Sequence, residues 1–351
     1  MHYFDPIGPV DINRDEHGFI DLTGHDIKLT EKSREADGNE HRIKNWVGFN
    51  GRTALLKEDF LHEFDTGHSM LYAELLAQSA ASICGLPTCD YDIAKIQDST
   101  GNDRYMSVSY NMLRETEIGE EKLVSLYELT GNDAKDSQYT ETSDLDYILE
   151  KLEDTLKQYG YNDNKRRRFE LDFKKQLMFD ICIIATDNHP KNYAYIALNL
   201  GGDIKQHIQR ISPVYDRENS FLLDTDTETL KGLSHNANLL NNIVQSTGVK
   251  IASYSKDREF KDNEPWKGTF KKLLEDPDVA WFYKSKILPI DFFDISDKVE
   301  EKINTVLPED VFDTACSAFE SRQNEILKEF GPKIKEITKP VEREKLHGKE
   351  I

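Results

Sequence analysis

An aspartate stands five positions ahead of an asparagine in Ala185-Thr186-Asp187-Asn188-His189-Pro190-Lys191-Asn192, directly after the apolar run Ile181 to Ala185. That is the spacing of a phosphoryl-transfer catalytic loop. A hydroxyl attacking the terminal phosphate of ATP needs a carboxylate to orient it and accept its proton. The leaving phosphates need metal held by oxygen ligands on the same rigid loop. Asp187 fits the first role and Asn192 the second. Lys191 is placed either to neutralise a transferring phosphate or to sit on the surface as an ordinary lysine. Alone, Asp187 and Asn192 would equally serve as turn residues capping backbone groups. His189 has no second imidazole at ligand spacing and reads as structural within the loop. The chemistry also requires a second acid after a short hairpin, to chelate the magnesium bridging the phosphates, and Ile211-Ser212-Pro213-Val214-Tyr215-Asp216-Arg217 offers Asp216.

These groups must be held by a surrounding scaffold, and its elements are readable. Two β-rich runs from Lys44 to Lys57 flank Asn50-Gly51, a two-residue hairpin signal that opens a small antiparallel lobe. Lys57 closes the run Ala54-Leu55-Leu56-Lys57 and is either the strand lysine that grips the α and β phosphates or an edge-strand lysine. The segment Ser69 to Cys84 aligns Leu71, Leu75, Leu76 and Ser79 on one helical stripe, and Gly85-Leu86-Pro87 stops it. Glu74 on this helix is spaced to pair with Lys57, with Glu63 as the alternative. Further strands are expected at Tyr91 to Gln97 and Arg104 to Asn111, and a link between lobes near Val108 to Leu113. Beyond about residue 115, helical spacing dominates, at Leu145 to Tyr159, Lys165 to Ile184 and Phe312 to Phe330. Tyr193 to Leu200 and Ile204 to Ile211, around Gly201-Gly202-Asp203, read as a hairpin joining the loop to Asp216.

Asp-Asn-His-Pro-Lys-Asn followed by Ser-Pro-Val-Tyr-Asp resembles the C-terminal kinase core of HipA-like serine/threonine kinases, whose loop reads N-x-D-x-H-x-K-N and whose metal-binding Asp follows S/A-P-x-Y. Ala185 replaces the first Asn of that loop. The resemblance spans roughly residues 37 to 330, with its specific content in Lys57, Asp187 to Asn192 and Ser212 to Asp216. It implies an α+β, bilobal protein-kinase-like fold, with a small β-rich N-lobe over residues 1–112 and a larger, mainly helical C-lobe over 113–351. It implies ATP and Mg2+ as cofactors, Asn192 and Asp216 as metal ligands, and a protein substrate with a Ser or Thr acceptor. The family replaces the glycine-rich phosphate cradle by a polar loop; here that is Asp37 to Lys44, where Gly38, His41, Arg42 and Lys44 are the candidate phosphate contacts. Some relatives switch off by phosphorylating a serine in this loop, and none lies between Gly38 and Lys44. Asp216-Arg217-Glu218 stands where many kinases have Asp-Phe-Gly, so no glycine switch is expected; the bland alternative to a metal ligand is that Asp216 is a turn residue after Pro213 and that Arg217 only balances its charge. About 36 residues precede the loop, fewer than the extra N-terminal subdomain of toxin-type relatives needs, so an antitoxin protein is admitted as a partner rather than required. A small-molecule phosphotransferase of aminoglycoside or lipid kinase type shares the loop spacing. A catalytically silent binding module is disfavoured by the joint presence of Lys57, Asp187, Asn192 and Asp216.

Composition narrows the classes further. Lys and Arg total 45 against 65 acidic residues in 351, a net charge of −20, which argues against direct nucleic-acid binding unless the positive charges cluster. The run Lys165-Arg166-Arg167-Arg168 reads as a solvated helix face or a dock for an acidic partner. Four cysteines, Cys84, Cys89, Cys182 and Cys316, form no CxxC pair and read as reduced thiols. There is no secretory signal and no bilayer-length apolar run, so no membrane association and a cytoplasmic location are expected. The charged stretch Thr338 to Ile351 is expected to fray.

Overall fold

Period-two alternation builds a sheet in the first third of the chain, and three-to-four spacing builds helices after it. The computed structural model describes residues 13–15, 17–23, 44–49, 52–58, 69–97, 101–116, 119–130, 143–225, 227–248, 250–252 and 265–340. The first sheet consists of β1 (Asn13–Arg14), β2 (Ile20–Asp21), β3 (Lys44–Phe49), β4 (Arg52–Glu58), β5 (Tyr91–Gln97) and β6 (Asp103–Tyr110), with helix α1 (Ser69–Cys84) inserted between β4 and β5. The strand order is β1-β2-β5-β6-β4-β3, antiparallel except for β2 beside β5. Phe49 pairs with Arg52, so only Asn50 and Gly51 separate β3 from β4, as the hairpin signal requires.

Register decides which side chains share a face. Ala54, Leu56, Ala94, Ile96, Met106, Val108 and Tyr110 form one buried cluster. The opposite face carries Lys57 level with Ser107 and Ile93, and Leu55 level with Ser109 and Tyr91. Alternation thus turns Lys57 away from the apolar cluster and toward the lobe that follows.

The stripe expected on α1 proves too narrow. Every residue of α1 except Gln78, Ser82 and Ile83 is buried, because the helix packs on β5 and β6 and also against α9 (Phe292–Ile303) and the π-turn Tyr283–Ile287. A helix buried all round shows no amphipathic stripe. Ser69 anchors its start by donating to the Leu223 carbonyl at 2.6 Å, and Gly85, at φ 78°, turns the chain at its end.

The remaining elements are β7 (Glu115–Thr116), β8 (Gly119–Ser125), α2 (Leu126–Thr130), β9 (Ser143–Asp144), α3 (Leu145–Gln158), α4 (Asp163–Cys182), β10 (Ala194–Asn199), β11 (Ile208–Ile211), α5 (Thr227–Ser234), α6 (Ala237–Ser246), β12 (Ile251–Ala252), α7 (Pro265–Leu273), α8 (Pro277–Phe282), the α9 already placed, and α10 (Glu309–Glu336). Helix α4 runs through the lobe in contact with α3, α7, α8 and α10. Asp144 and Asn162 cap α3 and α4 by accepting from backbone N–H groups of the first turn. The hairpin expected between residues 187–192 and Asp216 forms as β10 and β11, with Gly201 and Gly202 both at positive φ. Its second strand is shorter than expected: Ile204–His207 is a 3₁₀ turn, because Asp203 accepts from the Lys205 N–H. Strand β8 escaped the sequence reading, since Glu120, Glu121 and Lys122 hide its apolar partners; it pairs with β10 along its length.

The basic run on α4 is consumed internally. Arg166 meets Glu153 and Asp163, Arg167 holds Asp276 through two nitrogens at 2.6 Å each, and Arg168 reaches Asp172. All four cysteines are free, and three are buried.

One glycine ties the first sheet to the helical lobe. Gly18 has φ 74°, and a Cβ there would overlap the carbonyl oxygen of Ile303 at the end of α9. Gly18→Ala combines a left-handed backbone with that overlap, so it is expected to destabilise the fold by more than about 1 kcal/mol. Thermal unfolding measures this, and an unchanged midpoint would contradict the close approach.

Candidate active site

The candidate catalytic loop is set by how α4 ends. Ile184 takes φ 57°, and the Ala185 N–H returns to the Asp180 carbonyl at 2.9 Å. Ala185, at the position of the missing Asn, is buried against the core. The brace falls to its neighbour: Thr186 donates to the Asn219 carbonyl through its N–H at 2.9 Å and its hydroxyl at 3.2 Å. This ties the loop to the segment that follows Asp216. A 3₁₀ turn over Pro190–Asn192 then folds Asn192 back, so that its side-chain amide donates to the Asp187 carbonyl at 2.6 Å. The carboxylate of Asp187 is 36 % exposed, while Asn192 is buried.

Two cations and an imidazole surround this loop. The Lys250 ammonium meets Asp187 Oδ1, and the Lys250 N–H donates to the buried Asn188 Oδ1 at 2.7 Å. His189 Nδ1 accepts from the Lys191 N–H at 3.2 Å and its Nε2 lies 3.8 Å from Asp187. Burial pushes the His189 imidazole below its ordinary value, more than nearby Asp187 raises it, so it is neutral at pH 7. With Nδ1 accepting, the hydrogen-bond pattern places the proton on Nε2, facing Asp187. The Lys191 ammonium sits 5.1 Å from the centre of the Tyr127 ring.

The second group assembles around Lys57. The chain after β11 crosses to the first lobe, where Val214 exchanges backbone hydrogen bonds with Pro87 and Cys89. Asp216 has φ 58° and donates its N–H to the Tyr91 hydroxyl at 2.8 Å. The buried Lys57 ammonium pairs with the Asp216 carboxylate and with Glu218 at 2.8 Å. Glu74 lies alongside: its Oε2 accepts from the Arg217 N–H at 3.0 Å, and its buried Oε1 has no hydrogen-bond partner. Burial pushes the Glu74 carboxyl up to about 7, against the pull of Lys57 and with the help of Asp216 and Glu218.

Arg217 does not balance Asp216, as the bland alternative for this segment had it. Its guanidinium turns inward and grips Asp180 with two parallel bonds, Nε to Oδ1 at 2.8 Å and NH2 to Oδ2 at 2.9 Å, stacked 5.1 Å from the Tyr193 ring centre. Tyr193 donates its hydroxyl to the same carboxylate. Both charges are buried. The pair fixes the backbone between Asp216 and Glu218 to the last turns of α4.

The structure therefore brings Lys57, Glu74 and Asp216 into one cluster, and Asp187 and Asn192 into another. His189 feels the charges of both Asp187 and Asp216, and Asp224 those of both Asp187 and Glu218. A cleft of about 200 Å3 opens over the Lys57 face of the sheet, lined by Leu55, Tyr91, Met112, Leu113 and Tyr215 around Lys57 and Asp216. Gly38, His41, Arg42 and Glu63 lie outside the described residues; Lys44 heads β3 and pairs in register with Lys57. Sequence reasoning missed Lys250, Glu218 and Asp180. Asp180 did leave a signal, a lone carboxylate inside Met178-Phe179-Asp180-Ile181-Cys182. Lys250 left none. The carboxylates Glu74, Asp216 and Glu218, with an orphaned buried oxygen among them, suit a hard divalent cation.

Comparison with known proteins identifies the family and the fold. The model of the family described as HipA-like C-terminal domain matches residues 22–267. No curated protein is matched in sequence. Among solved structures, the Helicobacter pylori proinflammatory kinase CtkA superposes with a TM-score of 0.61 at 13 % identity, over 91 % of this chain and 98 % of that one. The HipA of a Shewanella oneidensis MR-1 toxin–antitoxin system, solved with HipB and operator DNA, gives 0.46 at 12 % identity, over 85 % of this chain and 66 % of that one.

Proposed function

The chain belongs to the HipA-like C-terminal domain family, and from that premise we propose an ATP- and Mg2+-dependent kinase that phosphorylates Ser or Thr of a protein. The observation that carries this reading is the meeting of Lys57 and Asp216, 159 residues apart, in one ion pair that lines the cleft. A strand lysine beside a metal-binding aspartate is what ATP phosphates require. In this proposal residues 1–112 form the lobe that holds the nucleotide phosphates and 113–351 the lobe that carries the catalytic loop.

Each residue then has a task. Asp187 orients the acceptor hydroxyl and takes its proton as the oxygen attacks the γ-phosphorus, while the bond to the bridging oxygen breaks and ADP leaves. Asn192, whose amide steadies the Asp187 backbone, and Asp216 hold Mg2+; the ion, when bound, neutralises charge on the phosphate oxygens. Lys57 contacts the α and β phosphates, and the neutral His189 keeps the loop closed through Lys191.

Incubation with γ-labelled ATP and Mg2+ tests the proposal. Label is expected on Ser or Thr of the chain itself or of added protein. Transfer only to small molecules would favour a small-molecule phosphotransferase, and nucleotide binding without any transfer a silent module. Lys57→Ala is expected to reduce transfer by about 100-fold, the loss typical of one preorganised electrostatic contact; full activity in that variant would remove Lys57 from the mechanism.

A further inference from the structure

The backbone around Asp187 is fixed without help from its carboxylate. The bonds of Ala185, Thr186 and the Asn192 amide all end on main-chain carbonyls, while the outer torsion of an aspartate side chain is broad. Something else must set the plane of that carboxylate. Among the described residues its side-chain partners are Lys250, whose ammonium donates to Oδ1, and His189, whose Nε2 lies 3.8 Å from the same oxygen.

Lys250 lies 63 residues downstream of Asp187, and its own position is fixed from both sides. Its N–H donates at 2.7 Å to Oδ1 of Asn188, the buried neighbour of Asp187. Directly after it, β12 pairs with β9, setting the buried Ile251 opposite Ser143. Before it, the end of α6 is clamped. The buried Arg322 guanidinium, 4.2 Å from the Trp266 ring centre, donates through Nη2 to the carbonyls of Val244 at 2.9 Å and Thr247 at 3.2 Å, and Trp266 Nε1 donates to the Gln245 carbonyl at 3.1 Å. Arg322 Nε and Nη1 make no hydrogen bond, so a desolvated guanidinium is committed to this one segment. An ordinary surface ion pair needs no such support. The Lys250 and Asp187 side chains are 31 % and 36 % exposed, where a pair adds at most about 1 kcal/mol to stability.

We propose that Lys250 is a positioning residue for phosphoryl transfer: it holds Asp187 by Oδ1 and so turns Oδ2 toward the acceptor hydroxyl. This rests on Asp187 being the base, as proposed above. The proton of the hydroxyl passes to Oδ2 as its oxygen bonds to the γ-phosphorus and the bond to ADP breaks; Lys250 takes no part in the proton transfer. A carboxylate free to rotate offers the hydroxyl the right oxygen in few of its orientations, and misplacement by about 1 Å costs on the order of 100-fold in rate.

Lys250→Met keeps the backbone N–H that Asn188 accepts and removes the ammonium. With γ-labelled ATP, kcat is expected to fall about 10- to 100-fold, with KM for ATP and the unfolding temperature unchanged, and Lys250→Arg is expected to restore most of the rate. In an Asp187→Ala background, Lys250→Met is expected to change nothing further, because the group it positions is gone. A second readout needs no catalysis. Acetylation of Lys250 by an amine-reactive ester, followed by mass spectrometry, is expected to be slow in the wild-type chain and faster in Asp187→Ala. Full kcat in Lys250→Met, no rescue by arginine, a further loss in the Asp187→Ala background, or equal acetylation of the two chains would each overturn the positioning role. A raised KM for ATP in Lys250→Met would make Lys250 a nucleotide contact and overturn it as well. A wild-type chain that protects Lys250 yet transfers no label would overturn the kinase reading, and the positioning role with it, while the contact itself stood.

Discussion

Asp187→Ala is expected to lower phosphoryl transfer by about a thousandfold while nucleotide binding is retained, the middle of the range for a positioned general base. The argument rests on what the substitution leaves intact. The loop is held by backbone: the Ala185 N–H on the Asp180 carbonyl, the Thr186 N–H on the Asn219 carbonyl, and the Asn192 amide on the carbonyl of residue 187. None of these uses the Asp187 carboxylate. That carboxylate is 36 % exposed and meets Lys250 and, at longer range, His189, so its removal takes away the proton acceptor and frees Lys250 without collapsing the loop. The cluster on Lys57, where the phosphates are proposed to bind, is built from other residues. Single-turnover transfer and nucleotide affinity, measured side by side, check this. A variant within tenfold of wild type in transfer would show that Asp187 is not the base, and a parallel loss of nucleotide affinity would show that the loop had been disturbed.

The largest stability effect is expected at Arg217. Arg217→Met leaves the Asp180 carboxylate buried at 0 % exposure with only the Tyr193 hydroxyl for company. Removing one member of a buried ion pair typically costs about 3–5 kcal/mol, because the surviving charge stays desolvated and uncompensated. Replacing both members with apolar residues costs much less, since the desolvation of both is then avoided. Arg217→Met with Asp180→Leu is therefore expected to recover most of the loss. Denaturant midpoints of the single and double variants test the cycle. If Arg217→Met unfolds within 1 kcal/mol of wild type, on the order of RT, the pair is not what holds this segment. The double variant separates stability from placement: it regains the fold yet loses the guanidinium that orients the backbone between Asp216 and Glu218, so its phosphoryl transfer is expected to stay low.

Much of the scaffold could be read in the chain because the relevant signals are local. Tyr91–Gln97 alternates and forms a strand over those residues; Ser69 to Cys84 is bounded by Gly85 and forms a helix over that span. The Asn50-Gly51 hairpin and the Gly201-Gly202 turn follow from backbone preferences of two residues each. Strand β8 was hidden because one of its charges, Glu121, is buried on Arg210 while its Leu123 is exposed, which breaks the expected alternation, and because β10, its partner in the four-stranded sheet, lies some 70 residues away in sequence. Helix α1 was read as one-sided because a sequence shows spacing and not what packs on the far face.

The site divides along the same line. The sequence by itself determined the identities of the groups proposed to do the chemistry: Asp187 and Asn192 at loop spacing, Asp216 after Pro213, Lys57 at the end of its strand. Those assignments depend on residue type and on separations of a few positions, which covalent geometry controls. Only the tertiary structure decided whom each group meets. It put Lys57 on Asp216 and Glu218, turned Arg217 into the core toward Asp180, and delivered Lys250 from beyond α6 to Asp187. A side chain's partner across 60 or 150 residues is chosen by the burial of whole elements, and the charge balance of the pocket, which leaves Glu74 Oε1 without a partner, exists only once those elements have packed.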